Sequence, residues 1–230
     1  MIGSTTALLA ATIAFAGGHF LLSHPLRMPL IGALGEKPFR GVYALVAGAT
    51  FAWMLFAYGA APRLPLWGKA EWMRAPLIAL MLPACILLVC GLATPNAMAV
   101  GREGLLSGER AARGIFAVTR HPMNWAFALW ALGHLVMNGD SATVILTAGI
   151  AFLALVGSWA QERRKAAQMR AAWQGFAART SFIPLVAIAQ GRARFSLRET
   201  GYGRIAGGVV LWAILLHVHR YIIGVSPFGG

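Results

Sequence analysis

Long stretches without a charged residue are the feature that most limits what this chain can fold into. An α-helix needs about 20 residues to cross a hydrocarbon core of about 30 Å, and five uncharged stretches come close to or exceed that length: 1–26, 41–62, 75–101, 122–139 and 141–161. A sixth runs from about Ile205 to Ile223, and its Arg220 lies near the end, where a long charged side chain reaches the interface. Only 12% of the residues are charged, against about one quarter in soluble domains.

These lengths predict an all-α protein, a polytopic membrane bundle of about six transmembrane helices that forms one domain over residues 1–230. We expect the spans at about 4–25, 41–61, 75–98, 122–138, 141–161 and 205–223. A basic segment that follows the fifth span, with Trp173 and Phe176, predicts an amphipathic helix on the cytoplasmic surface. The apolar run 181–190 is half the length of a span and is expected to dip into the headgroup region. Asp140 or Ser141 is expected to cap the fifth span.

The basic residues lie between the spans, and they predict orientation rather than nucleic-acid binding. The chain carries a net charge of +13, yet its Lys and Arg residues do not form a soluble basic face. If the spans alternate in direction, one side of the membrane holds 16 Lys and Arg residues and the other holds 4. The positive-inside rule makes the first side cytoplasmic, which predicts a multi-pass protein of a bacterial inner membrane with both termini periplasmic.

Histidines stand out among the ionisable side chains of the predicted spans. Ionisable groups at membrane depth are costly and tend to mark functional sites, and four histidines lie late in spans: His19, His134, His217 and His219. Two imidazoles on facing helices are a common way for a helical bundle to hold haem iron. The acidic residues fall in loops or at span ends, so they do not suggest another metal site. Because the chain has no Cys-x-x-Cys-His motif, the predicted cofactor is non-covalent haem b.

Depth along the helices leaves the pairing of these histidines open. At about 1.5 Å per residue from the charged edges, His134 lies about 21 Å deep, His217 about 20 Å and His19 about 12 Å. His134 and His217 therefore match in depth, whereas a pair of His19 and His134 requires a tilted helix or an inclined haem. His134 is predicted as one ligand, with His19, His217 or His219 as the other.

A second polar group is predicted at the cytoplasmic edge. Its members are charged or amide side chains close to span ends: Arg27, Glu36, Arg40, Arg120, His121 and Asn124. Pro122 follows His121 at a helix start, where free backbone N–H groups suit an anion or a carboxylate partner. The alternative interpretation is ordinary positive-inside anchoring with one or two ion pairs. No catalytic residue is predicted from these patterns.

Motifs along nearly the whole chain resemble the NnrU family of bacterial membrane proteins, which is related to the 15-cis-zeta-carotene isomerases of plants and cyanobacteria. The resemblance rests on short ordered motifs: Gly18-His19, Leu26-Arg27, Gly35-Glu36, Phe39-Arg40-Gly41, Pro65-Leu66-Trp67, Arg120-His121-Pro122-Met123-Asn124-Trp125, Gly133-His134, Asn138-Gly139-Asp140, Thr180-Ser181, Gln190-Gly191-Arg192, His219 and Ser226-Pro227.

This resemblance implies a haem b-binding membrane protein. The isomerase relatives use haem to convert a cis double bond of zeta-carotene to trans, and the NnrU proteins are linked to nitric oxide and nitrite reduction. The residues that match the relatives' haem histidines are His19 and His134. The plant enzymes have a cysteine three residues before the second histidine, where this chain has Ala131, so ligand exchange through that cysteine is not expected.

The chain also resembles membrane methyltransferases of the isoprenylcysteine type. This likeness rests on Arg120-His121-Pro122 before a helical hairpin, on Glu162 and on Ile183-Pro184. Those enzymes carry more than one acidic residue after the hairpin and a tyrosine soon after the proline, whereas this chain has only Glu162 and Met123-Asn124-Trp125. The likeness implies S-adenosylmethionine binding at the cytoplasmic edge.

The sequence thus leaves three functional hypotheses. The leading one is a haem b protein that isomerises a lipid-soluble polyene. The second gives the same haem a non-catalytic role in nitric oxide sensing or in assembling denitrification enzymes, and the third is methyl transfer. Membrane lipids are expected partners in each case, together with a hydrophobic polyene or denitrification proteins, and no nucleic acid.

Overall fold

Helices account for most of the structure, as the uncharged stretches predict. The computed structural model describes residues 3–68, 71–98, 104 and 108–229. Its α-helices are α1 (Thr5–Ser23), α2 (Arg27–Leu34), α3 (Glu36–Ala60), α4 (Arg74–Ala93), α5 (Ile115–Val118), α6 (Pro122–Asn138), α7 (Ser141–Ala178), α8 (Val186–Ala189), α9 (Leu197–Thr200) and α10 (Tyr202–Ile222). Short 3₁₀ turns cover Glu71–Met73 and Glu109–Ala112.

Within the described ranges, five helices are long and apolar enough to cross a membrane: α1, α3, α4 with the turn before it, α7 and α10. The predicted fourth span is also helical, but α6 has 17 residues and is about 26 Å long, slightly less than a typical hydrocarbon core. The helical membrane fold is therefore confirmed, with five full-length spans among the described residues and one shorter helix.

Helix α7 extends past the end predicted for the fifth span and includes the segment predicted as an amphipathic helix. The expected span ended near Gln161, whereas helical geometry continues to Arg170 and resumes after it up to Ala178. Residues 161–169 contain neither Gly nor Pro and consist of good helix formers, so nothing in this segment ends the helix. The interruption comes at Arg170, whose φ of 31° lies outside the helical region.

The described residues group into two compact units. The first contains residues up to Glu71 together with His134–Leu153, and the second contains Trp72–Gly133 and Ala154–Gly230. One domain over residues 1–230 therefore stays a prediction.

In the first unit, α1 packs along α3, and α7 approaches α1 closely. A Cβ on Gly149 would overlap Cγ2 of Thr12, so this approach requires a glycine. The loop before Glu71 pairs with the start of α7, because Ser141 N–H donates to Leu64 O at 2.9 Å. Asp140 caps α7 as predicted: its Oδ1 accepts from the N–H of Thr143 at 3.0 Å.

In the second unit, α4 and α10 form the main helix pair. A Cβ on Gly208 would lie 2.6 Å from Cα of Ile86, and the indole of Trp212 donates to Ile78 O at 2.9 Å. The small apolar core beside this pair contains Leu87, Cys90, Ile115, Phe116 and Ala126.

The apolar run 181–190 is neither a span nor a free loop. It forms turns and the short helix α8, and backbone hydrogen bonds fix it to the segment before α6. Arg120 N–H donates to Ser181 O at 2.9 Å, and Leu185 N–H donates to Val118 O at 2.8 Å. Leu185 has a φ of 68°, which is unusual for a residue with a branched side chain, and its hydrogen bond helps hold that conformation. Whether the run lies in the headgroup region stays a prediction.

Candidate functional site

His19 has the local geometry of a metal-ligating histidine. It lies in α1 one turn after Phe15, and its ring Nδ1–H donates to Phe15 O at 2.8 Å. This bond fixes the tautomer in which the other nitrogen, Nε2, carries a lone pair. Among the described residues none forms a hydrogen bond with Nε2, and the rings of Phe15 and Tyr43 flank the imidazole at 4.6 and 5.5 Å. The Nε2 atom of His19 is therefore suited to bind iron.

His134 lies in α6 and is half-buried. The side-chain amide of Asn138 donates to the carbonyl oxygen of His134 at 2.8 Å, which anchors the last turn of that helix. His134 belongs to the same compact unit as His19. Both histidines therefore lie in one unit, and their pairing around a haem stays a prediction.

The two alternative ligands lie in the second unit, in α10. His217 is exposed, and its ring centroid lies 6.0 Å from that of Tyr221. His219 is half-buried, and its Nδ1–H donates to Val225 O at 2.6 Å. His219 therefore shares with His19 a ring fixed through a backbone carbonyl, and His217 does not.

A haem would need few ligands from the protein. Within the described part of the chain, no group of three or more His, Cys, Asp or Glu side chains is placed to hold a metal ion. Haem iron needs only two axial protein ligands because the porphyrin supplies the others. The fixed tautomer of His19 fits that requirement, and the pairing of His19 with His134 remains a prediction.

The predicted cytoplasmic-edge residues fall into both units. In the first, Arg40 Nη2 lies 2.7 Å from Glu36 Oε1, one helical turn apart, and both side chains are half exposed. The guanidinium of Arg27 lies 5.5 Å from the ring centroid of Phe39. An exposed pair of this kind contributes at most about 1 kcal/mol to stability. These contacts fit the anchoring interpretation.

In the second unit, Arg120, His121 and Glu162 form a buried ion-pair cluster, which we call the Glu162 cluster. Arg120 donates to both oxygens of Glu162, from Nε to Oε1 at 2.5 Å and from Nη2 to Oε2 at 2.9 Å. His121 Nε2–H also donates to Oε1, at 2.9 Å. The exposed fraction of the side chain is 10% for Arg120, 2% for His121 and 14% for Glu162. A two-pronged pair of this geometry is the strongest form of protein ion pair.

The remaining donors of Arg120 are also used. Its Nη1 donates to Thr180 O at 3.1 Å, and the guanidinium lies 5.4 Å from the ring centroid of Trp173. The cluster therefore holds the middle of α7, at Glu162, and the chain after α7, at Thr180, against the start of α6. Its polar atoms are directed at one another, which fits a structural role.

Burial keeps His121 neutral in this cluster. The pKa of its ring lies below the ordinary value because burial disfavours the charged form and the charges of Arg120 and Lys165 oppose protonation, while Glu162 acts in the opposite direction. A neutral ring with the proton on Nε2 is the form that donates to Glu162.

Sequence patterns do not identify all the polar residues of this region. Ser158 accepts a hydrogen bond from the amide of Asn124 at 2.5 Å. Lys165 is almost fully buried, and its ammonium donates to Ala97 O at 3.2 Å. Lys165 belongs to a run of basic residues that is typical of an exposed segment. No sequence signal distinguishes this buried lysine from its basic neighbours. Glu162 was found only through the likeness to methyltransferases.

The fold and these histidines define a class, a multi-pass α-helical membrane protein with imidazoles placed in its helices. A family model described as NnrU protein matches residues 7–227. The chain belongs to the NnrU family.

Two curated relatives share part of the sequence. The chain is 33% identical over 81 residues to a protein of Zea mays named 15-cis-zeta-carotene isomerase, chloroplastic, and 33% identical over 79 residues to the protein of that name from Arabidopsis thaliana. The matches cover 35% and 34% of this chain, and about a fifth of each relative, 22% in both cases. No solved structure matches the chain.

Proposed function

We propose that this protein is a haem b-dependent membrane isomerase that converts a cis double bond of a lipid-soluble polyene to trans. The observation that carries the proposal is the His19 ring, whose Nδ1 is committed to Phe15 O and whose Nε2 is left for a ligand. The family assignment and the printed names of the two plant relatives support the reaction type.

Residues of the first unit would hold the haem. His19 and His134 would ligate the haem iron, and both belong to that unit. The hydrogen bond from His19 Nδ1 to Phe15 O orients the ring and makes Nε2 a stronger donor. Phe15 and Tyr43 flank the ring and help exclude water from it. When bound, haem b supplies an iron centre whose electronic state is tuned by its ligands and by the burial of the site.

A polyene would reach this protein through the bilayer rather than from water. Large apolar side chains cover the outer faces of the helices, for example Leu45 and Phe56 on α3. In a soluble protein such surface is an interaction site, and in a membrane it meets lipid. Lateral entry therefore suits a substrate that dissolves in the membrane.

An absorption spectrum tests haem binding directly. The protein is purified in detergent after haem-supplemented expression, and we expect a Soret band that is lost in His19→Ala and in His134→Ala. The matched control is His217→Ala, which removes an exposed histidine ring from α10 and is expected to leave the band unchanged. A well-folded preparation without haem would overturn the proposal, and loss of the band in His217→Ala would replace the proposed pair.

Product analysis separates catalysis from other haem roles. In a host that accumulates 15-cis-zeta-carotene, we expect the wild-type protein to increase the trans product and His134→Ala to abolish that increase. A haem-loaded protein that leaves the carotenoid unchanged would favour the rival role in nitric oxide sensing or in assembly of denitrification enzymes. Binding of S-adenosylmethionine to a haem-free protein would favour the methyltransferase hypothesis.

We also propose that the protein lies in a bacterial inner membrane with both termini periplasmic. The support is the distribution of 16 Lys and Arg residues on one predicted side against 4 on the other. Reporter fusions at the C-terminus test this orientation, and activity of a cytoplasmic reporter at that position would reverse it.

A further inference from the structure

An apolar groove in the second unit is not used by the proposed function. It is lined by six side chains from α6, from α7 and from the run after α7: Trp125, Leu155, Val156, Trp159, Phe182 and Ile183. Its volume is about 350 Å³, and it is open along one side. Because the groove is apolar and more open than enclosed, it could hold one side of a hydrocarbon chain.

The walls of the groove are held in place by hydrogen bonds. The indole of Trp125 donates to Phe182 O at 2.9 Å, and Thr119 Oγ1 donates to the same oxygen at 2.7 Å. The neighbouring carbonyl of Ser181 accepts from Arg120 N–H at 2.9 Å. The segment that carries Phe182 and Ile183 is therefore fixed, so the groove is preformed.

The position of the groove points to a hydrocarbon occupant. Leu155, Val156 and Trp159 belong to the last turns of the uncharged part of α7, just before the charged residues begin at Glu162. Trp159 and Ile183 are 52% and 56% exposed, so the open side presents apolar surface. In a membrane-spanning helix, an apolar groove at this level faces acyl chains and ends near the headgroups.

A cation stands at the rim of the groove. The guanidinium of Arg163 lies 4.7 Å from the ring centroid of Trp159. Arg163 is exposed, and within the described part of the chain no carboxylate forms an ion pair with it. A planar guanidinium beside an apolar groove is complementary to a phosphodiester that carries a hydrocarbon chain.

We propose that this groove binds one acyl chain of an anionic glycerophospholipid, with the lipid phosphate on Arg163. The site belongs to the second unit, and its occupation does not depend on haem or on the proposed isomerisation. The lipid would act as a bound structural ligand, covering Trp159 and Ile183.

Native mass spectrometry of the detergent-purified protein tests the site with phosphatidylglycerol and phosphatidylcholine as probes. For the wild type we expect one retained phosphatidylglycerol, bound several-fold more tightly than phosphatidylcholine. Arg163→Ala is expected to remove this headgroup preference, and Val156→Phe, which fills the groove, is expected to remove binding of both lipids. Arg194→Ala changes another exposed arginine and Ala148→Phe enlarges an exposed residue of α7 outside the groove; both should behave like the wild type.

Quenching of tryptophan fluorescence provides a second measurement that does not require filling the groove. Phosphatidylglycerol with brominated acyl chains is expected to quench the wild type more than Trp159→Phe, because the difference reports contact of the chain with Trp159. Equal quenching of the two proteins, retention of lipid by a folded Val156→Phe variant, or an unchanged headgroup preference in Arg163→Ala would each overturn the proposal.

Discussion

His19 in the first compact unit and the Glu162 cluster in the second differ in how completely their hydrogen-bonding capacity is used. In the first unit, His19 makes one local hydrogen bond and keeps a ring nitrogen available for a ligand. In the second, Arg120, His121 and Glu162 satisfy one another in a nearly closed cluster. A side chain with an unused nitrogen lone pair is suited to binding a ligand. Side chains whose polar atoms all bond to one another are suited to holding helices together.

The largest effect is expected from Glu162→Gln. This change removes the negative charge that balances the buried guanidinium of Arg120, and breaking one partner of a buried pair costs about 3–5 kcal/mol. We expect a strongly lowered unfolding temperature in detergent and poor recovery of folded protein. The matched change Glu36→Gln alters an exposed pair. A folded Glu162→Gln protein of wild-type stability would show that the Glu162 cluster does not stabilise the fold.

A pH dependence should arise from His121. Its pKa is lowered in the folded protein by burial, whereas the unfolded chain protonates near the ordinary value of about 6.5. The unfolded state therefore binds more protons as pH falls below about 6.5, so this contribution to stability is complete above that pH and is lost below it. The slope is at most about 1.4 kcal/mol per pH unit.

Thermal unfolding between pH 5 and 8 measures this effect, with the non-titrating variant His121→Gln as comparison. We expect the wild type to lose more stability than the variant on the acidic side. The exposed His217 provides the control variant, His217→Gln, which should keep the wild-type pH dependence. Parallel curves for wild type and His121→Gln would contradict the assignment of a neutral, buried ring.

A smaller change in stability is expected from His19→Ala in the haem-free protein. The ring is half-buried and forms one hydrogen bond to its own helix, and a typical hydrogen bond contributes about 0.5–1.5 kcal/mol. We therefore expect a shift in unfolding temperature well below that of Glu162→Gln, together with loss of haem binding. A His19→Ala variant as unstable as Glu162→Gln would remove the contrast between the two units.

The smallest effect is expected from Arg40→Ala. The ion pair with Glu36 joins exposed residues one turn apart, and such pairs contribute about 0.3–0.5 kcal/mol. The unfolding temperature should change by an amount near the limit of measurement, and less still at high salt because the pair is screened. A large loss of stability would show that this exposed pair contributes as much to the fold as the buried Glu162 cluster does.

The sequence predicted those parts of the fold that depend on local composition. The uncharged stretches correctly indicated helices across the membrane, and the Asn138–Ser141 turn correctly indicated that Asp140 caps α7. The sequence does not indicate how far α7 continues, because charged residues mark the end of a membrane span but do not end a helix.

The partners of the site residues were harder to predict because they depend on how helices rotate against one another. Arg120 and Glu162 are 42 positions apart, and nothing in the hydropathy pattern links them. Lys165 resembles its exposed neighbours in sequence, and only packing buries it. For the histidines, spacing and depth indicated which residues to compare, and the hydrogen bond of His19 then distinguished its ring from that of His217.

The 38 residues of α7, which are interrupted at Arg170, are more than a hydrocarbon core of about 30 Å can hold. Its uncharged part, 141–161, matches that thickness, and the charge of Glu162 and Arg163 follows at once. Any vertical displacement would therefore draw charge into lipid at one end or expose apolar surface at the other. The apolar length of α7 therefore matches one bilayer thickness. In membranes much thinner or thicker than average, hydrophobic mismatch should lower the stability of this protein.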